Sequence, residues 1–342
     1  MKILVTGGGG FVGSHVAEHF EEQKNEVVVC DNLTRASMLN KSSGEPLFNW
    51  NYLKHLRNIK MIRGDIRDVD VIRQAGKGAD VIFHTAAQVA VTSSVLDPRT
   101  DFEVNVIGTF NVLETARLND SSVVFCSTNK VYGNNVNTIP VQEHPTRYLF
   151  ADGKFDQGIP ENFPIDNTGH SPYGASKLAA DIYVQDYAHT YGLKTGVFRM
   201  SCIYGERQFG VEDQGWLAWF AIATHTGKPV TIYGDGKQVR DVLHVSDLVA
   251  AFEAFLGSNV KSQVFNIGGG HENTLSLLEL LRMLREMTGK DPQISFEDWR
   301  PSDQRVYVSD IRKVVEALQW RPLIGVQKGV SRIIEWIHSA DL

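Results

Sequence analysis

Short apolar runs recur along the first two-thirds of the chain, at 3–6, 27–30, 60–63, 81–85, 123–127 and 196–200, with helix-length segments between most of them. Runs that stay apolar at successive positions suit strands buried on both faces, and their alternation with helices predicts an α/β fold: a Rossmann-type, doubly wound parallel sheet. An amphipathic helix is expected to begin near Ser14, after the first run. The stretch 41–51, rich in Ser, Gly, Pro and Asn, reads as a loop after the second strand, and 134–171 as a longer insertion placed to cover a site. Beyond Gly205 the pattern changes. A helix carrying Trp216 and Trp219 is expected over 214–226, then a turn at 227–229, a hairpin-like segment over 233–241, helices over 275–289 and 309–318, and a strand over 293–296. Residues 1–205, with part of 241–268 returning to the sheet, form the expected dinucleotide domain; 206–342 mainly form a smaller, interleaved substrate domain.

Composition narrows the partners. The 342 residues carry a formal net charge of −6 with no clustered basic field, which argues against nucleic acid. No apolar run approaches bilayer-spanning length, and the first strand follows Met1 directly, so a cytoplasmic chain without a membrane partner is expected. The three cysteines, Cys30, Cys126 and Cys202, have no paired spacing and suggest neither a disulfide framework nor a metal site.

The first run breaks into Gly7-Gly8-Gly9-Gly10-Phe11-Val12-Gly13. Gly7 allows a tight turn, Gly10 close approach of a pyrophosphate, and Gly13 close packing of the following helix, whose N-terminal amides then face an anion. Asp31, at the end of the second run and followed by Asn32, is placed to accept from ribose hydroxyls and to repel a 2′-phosphate; NAD is expected over NADP, although Arg35 stands nearby.

Tyr173 and Lys177, four residues apart on one helix face, suit a phenol acting as base beside an ammonium that lowers its pKa. Thr128, in the Ser127-Thr128 pair after the fifth run, can hydrogen-bond the reacting oxygen. Cys202, after the sixth run, is either a packing residue or a proton carrier on the sugar face opposite Tyr173.

These residues carry a resemblance to the extended short-chain dehydrogenase/reductases of the nucleotide-sugar epimerase and dehydratase group, from Met1 to Trp336. Matching segments include Gly7–Gly13, Gly64-Asp65-Ile66-Arg67-Asp68, His84-Thr85-Ala86-Ala87-Gln88, Asn105, Ser127-Thr128, Tyr173 with Lys177, Arg240-Asp241 and Arg300-Pro301-Ser302-Asp303. The resemblance implies that Gly7, Gly10, Phe11, Val12, Gly13, Asp31, Asn32, Asp65, Ile66, Ala86, Ala87, Gln88, Asn105, Ser127, Tyr173, Lys177 and Met200 hold NAD. It implies that Gln88, Thr128, Asn129, Lys130, Cys202, Gln214, Arg240 and Arg300 hold a nucleoside-diphosphate sugar, with the two arginines on its diphosphate or ribose. Ser127-Thr128-Asn129-Lys130, the 87–92 segment, Ser201-Cys202-Ile203-Tyr204-Gly205 and the 214–219 segment resemble the CDP-sugar 2-epimerases that interconvert paratose and tyvelose. A UDP-sugar 4-epimerase is the alternative on this fold, and a non-catalytic NAD sensor the alternative of another class. Asn129-Lys130 in place of an Asp-Glu pair disfavours a dehydratase. The family also implies a homo-oligomer built on helices near 102–117 and 178–191.

Overall fold

The computed structural model describes residues 1–34, 47–212, 214–300 and 303–340. Arg35, most of the expected 41–51 loop and the Pro301-Ser302 pair lie outside them. Seven strands form the main sheet: β1 (Lys2–Thr6), β2 (Glu26–Asp31), β3 (Ile59–Arg63), β4 (Val81–His84), β5 (Ser122–Thr128), β6 (Thr195–Met200) and β7 (Ser262–Ile267), in the spatial order β7-β6-β5-β4-β1-β2-β3. β1 is paired in parallel with β2 and β4, β2 with β3, and β4 with β5. The Thr195 amide bonds the Lys261 carbonyl and the Ser201 amide the Ile267 carbonyl, a constant offset that makes β6 and β7 parallel as well. Val27 to Cys30 and Val81 to His84 are buried without alternation, which is the signature of a sheet covered on both faces.

Two compact units divide the chain. The first comprises 1–131, 171–199 and 252–265; the second comprises 132–170, 200–251 and 266–342. The core of the first gathers Leu4, Val28, Ile82, Leu113, Phe125, Val184 and Val197, and that of the second Tyr204, Phe220, Ile232, Leu280, Val330 and Ile333. Segment 132–170 therefore falls with the second unit rather than within the 1–205 block. Its bonds explain this: Tyr132 donates to Asn266 (2.7 Å), Asn137 to the Asp303 carbonyl (3.0 Å), and the Ile159 amide to the Val308 carbonyl (2.7 Å). The segment folds into 3-10 turns and a short antiparallel pair, Val141–Glu143 with Tyr148–Phe150.

Four local expectations change. The first helix spans Phe11–Glu22, starting directly after Gly10 instead of near Ser14. Phe48–Lys54 is helical, buried through Trp50 and Leu53, where a loop was expected to run to 51. The 233–241 segment is no hairpin, because Val230–Tyr233 pairs in parallel with Ile294–Glu297, while Val239–His244 pairs with Thr274–Ser276, Val306–Tyr307 and Cys202–Tyr204. The later helices are shorter: Leu277–Thr288, closed by a Ser276–Glu279 capping box and by Gly289 in the left-handed region, and Arg312–Leu318. Among the described residues no helix is long and apolar enough to cross a membrane.

Candidate active site

The glycine turn packs backbone on backbone. Gly7 sits at φ +72°, and a Cβ there would lie 2.6 Å from the Ala86 backbone; at Gly13 it would lie 2.4 Å from the Gly7 carbonyl and 2.7 Å from Thr85 Oγ1. The first turn of helix Phe11–Glu22 is thus pressed against the ends of β1 and β4. The amides of Phe11, Val12 and Gly13 are the donors that an α-helix leaves without an intrahelical acceptor, which suits a diphosphate.

At the end of β2, Asp31 accepts from the Gly9 amide (3.0 Å) and the Leu33 amide (2.7 Å). Burial raises its pKa, with these two bonds opposing. The adjacent Asn32 donates to Asp65 (2.9 Å), whose other partner is a bidentate Arg67 at 3.0 and 2.8 Å. The Arg67 bond is the main reason the Asp65 carboxyl falls to about 2. Ile66 is buried against Gly108, where a Cβ would meet its side chain at 2.5 Å. These positions fit the adenosine half of a dinucleotide: a turn in which added side chains would collide, and a carboxylate anchored by main-chain amides.

The β5 end holds the candidate chemistry. Tyr173, Thr128 and Lys177 are all buried. Tyr173 lies in the first turn of helix Ser171–Tyr191, and its amide donates to Ser94 Oγ (3.1 Å), 79 residues away. Burial pushes the Tyr173 phenol up to about 12, hydrogen bonding with Thr128 pulls it down, and Asp101 adds to the rise. The expected lowering by Lys177 does not dominate, because the Lys177 ammonium is committed to the Cys126 carbonyl (2.7 Å) over the Phe125 ring. Its own pKa is lowered by burial to about 8. Thr128 Oγ1 also accepts from the Lys130 amide and faces Asn129 Oδ1, both at 3.3 Å. Ser127 donates to the buried Asp181 (2.7 Å), which Arg199 also holds (3.0 Å).

Asn105 lies in a π-helical turn, Glu103–Ile107, and exchanges bonds with the Gln88 main chain: Gln88 N to Asn105 Oδ1 at 2.9 Å, and Asn105 Nδ2 to the Gln88 carbonyl at 3.1 Å. The Gln88 side chain turns into its own loop, its amide group bonded to Ala90 O (2.9 Å), Ala90 N (2.5 Å) and Asp101 (3.1 Å).

In the second unit, half-buried Cys202 accepts from Trp216 Nε1 (3.4 Å), and both pack against the core in which Trp219 is buried. Arg240 pairs with Asp303 (2.7 Å), and the Arg300 guanidinium lies 3.9 Å over the Tyr233 ring. The Gln214 amide donates to the Val211 carbonyl (2.9 Å), and Met200 is the half-buried last residue of β6. The contacts of Ser94, Asp101 and Asp181 escape sequence reasoning. So do those of His84, which bridges Thr6 (2.7 Å) and Thr109 (2.9 Å) and is driven by burial to about 3.

A family model described as the NAD dependent epimerase/dehydratase family matches residues 3–268. A CDP-paratose 2-epimerase from Salmonella typhi is 42% identical over 99% of this chain and all of its own length. The solved UDP-glucose 4-epimerase of Thermotoga maritima, in complex with UDP-glucose, is 31% identical with a TM-score of 0.81, covering both chains fully. That of Thermus thermophilus, in complex with NAD, is 32% identical with a TM-score of 0.78, over 99% of this chain and all of its own. This chain belongs to the NAD-dependent epimerase/dehydratase family, and NAD is its cofactor.

Proposed function

We propose that the chain epimerises a CDP-sugar at carbon 2, interconverting CDP-paratose and CDP-tyvelose. The gathering of Tyr173, Thr128 and Lys177 at the end of β5 carries the chemistry, and the full-length 42% relative supports the sugar. NAD, when bound, supplies a reversible hydride acceptor, so that the sugar passes through a 2-keto form with no net oxidation. Tyr173 takes the proton of the carbon-2 hydroxyl and returns it, and Thr128 hydrogen-bonds the reacting oxygen as charge develops there. The Gly7–Gly13 turn and Asp31 would hold the adenosine diphosphate half, with Asp65, Ile66, Ala86, Ala87 and Asn105 completing the cofactor seat. Lys177 would hold the nicotinamide ribose. Arg240 and Arg300 would take the sugar's diphosphate, with Gln214, Asn129 and Lys130 as further substrate contacts and Cys202 as a second proton carrier. The helices over 102–119 and 171–191 would join copies of the chain into a homo-oligomer.

A UDP-sugar 4-epimerase is the second reading, favoured by the two solved relatives. Incubation with a panel of CDP-, UDP-, GDP- and dTDP-sugars, followed by NMR, identifies the carbon inverted. With a CDP-sugar as substrate, a carbon-2 deuterium should remain in the product and show a primary isotope effect, and a carbon-4 deuterium should show none. The reverse pattern, on a UDP-sugar, replaces the first reading with the second.

A further inference from the structure

Helix Pro98–Phe102 carries a carboxyl into the interior of the first unit. Asp101 is 1% exposed. Its Oδ1 accepts from Gln88 Nε2 (3.1 Å) and Asn105 Nδ2 (3.2 Å), while no donor meets hydrogen-bond geometry at Oδ2. Both partners lead toward the candidate chemistry. Gln88 ties the loop after β4 to itself through Ala90. Asn105 clasps the Gln88 main chain and also donates to Ser176 (3.0 Å), whose hydroxyl donates to the Tyr173 carbonyl (3.0 Å).

We propose that Asp101 is a positioning residue that, through Oδ1, holds the 86–90 loop in register with the helix bearing Tyr173. It acts through Gln88 and Asn105 and touches no reacting atom. The inference rests on the reading of Tyr173 as the base. One oxygen carries both accepted amide bonds, so the positioning role asks for an acceptor at Oδ1. Burial raises the carboxyl's pKa, while a hydrogen bond with Ser176 and the Lys177 ammonium oppose the rise. Asparagine presents the same Oδ1 acceptor to both amides. Alanine leaves Gln88 Nε2 with Ala90 O as its one remaining acceptor, so one of its two hydrogens is stranded and the loop is pulled out of register, while Asn105 Nδ2 keeps Gln88 O and Ser176 Oγ.

The test compares holoenzymes of Asp101→Asn, Asp101→Ala, Asp101→Ser and Tyr173→Phe with wild type. The readouts are kcat, KM for the nucleotide sugar that turns over, and dinucleotide retained per chain after gel filtration. Asp101→Ala should lower kcat about 10- to 100-fold, the scale of a small misplacement of reacting groups. It should also shed dinucleotide while KM moves less than about twofold, whereas Asp101→Asn should stay within about threefold of wild type on every readout. Should the alanine variant not fold, Asp101→Ser, whose hydroxyl is too short to reach both amides, is held to the same expectation. Wild-type behaviour of Asp101→Ala or Asp101→Ser overturns the proposal, as does an Asp101→Asn variant as impaired as the alanine one. Tyr173→Phe keeps the two claims apart. A normal rate there defeats the base assignment, while an inactive Tyr173→Phe beside a normal Asp101→Ala defeats only the role of Asp101.

Discussion

Tyr173 and Lys177 are the residues on which the chemistry turns, and burial affects them oppositely. Tyr173→Phe removes the proposed base without disturbing the packing around it, so activity should fall about 100-fold or more with dinucleotide still bound. A near-normal rate would end the assignment. For Lys177, burial depresses the ammonium from 10.5 to about 8. Below pH 8 folded and unfolded chains are both protonated, and the full cost of the buried charge is present, about 3 kcal/mol. Between pH 8 and 10.5 the unfolded chain binds the proton that the folded chain has released, so wild-type stability rises with pH across that window. Lys177→Met has no such term. Its stability relative to wild type, followed by urea unfolding, should be most favourable at pH 7 and should decline by about 3 kcal/mol towards pH 10.5; a pH-independent difference would contradict the burial argument. His84 acts at the other end of the scale. Held near 3 by burial and by Lys177, it stays neutral while the unfolded chain takes up a proton below about pH 6.5, so its contribution is lost as pH falls. His84→Gln should remove about 2 kcal/mol of the stability lost between pH 7 and pH 5. The Tyr-x-x-x-Lys pair is legible because both residues lie on one helical turn. His84, Ser94 and Asp101 are not, since their partners arrive from distant segments: Thr6 lies 78 residues from His84, and Tyr173 lies 79 from Ser94.

Elements were legible where one rule governed them. Uninterrupted apolar runs gave away β2 and β4, since burial on both faces leaves no polar alternation to confuse the reading, whereas the edge strand β3 mixes half-buried and exposed positions and β7 was expected only as a return of 241–268 to the sheet. The 233–241 segment failed for the converse reason. Gly234, Asp235 and Gly236 supply good turn chemistry, yet the flanking strands pair with partners at 294–297, 274–276 and 306–307, and no local signal reports a partner so far along the chain. Helix Phe48–Lys54 was hidden by turn-forming residues immediately before it. In the Gly7–Gly13 turn, local and long-range demands coincide, and Gly13 shows which prevails. On helix propensity alone Gly13→Ala should stabilise by about 1 kcal/mol. A Cβ 2.4 Å from the Gly7 carbonyl and 2.7 Å from Thr85 Oγ1 reverses that sign, because backbone and strand end must both shift. The variant should lose about 1–3 kcal/mol and release its dinucleotide on gel filtration. Unchanged stability with full dinucleotide content would mean that the close approach is not required.

At the scale of the whole molecule, the surface of the first unit bears on the proposed self-association. Phe102, Phe110, Leu118, Ile182, Tyr183 and Tyr191 are each 40–58% exposed. They lie on the helices spanning 98–119 and 171–191, and the Phe110 ring meets the edges of Tyr183 and Tyr187. Single exposed apolar residues are ordinary, but large ones shared by two neighbouring helices are what the proposed self-association would cover. The helices coincide with those that the family resemblance assigns to self-association, and a second copy of the same chain is the simplest partner, meeting like against like around a two-fold axis. Each large side chain buried there would contribute roughly 1.5–3 kcal/mol against the cost of association, and a carboxylate among them is strongly unfavourable. Light scattering should give wild type a mass of at least twice 38.1 kDa. Ile182→Glu combined with Leu118→Glu should give a monomer that keeps its far-ultraviolet circular dichroism, because both side chains are more than half exposed. A wild-type mass near 38.1 kDa, or a double variant that still associates, would show that these helices do not join the copies.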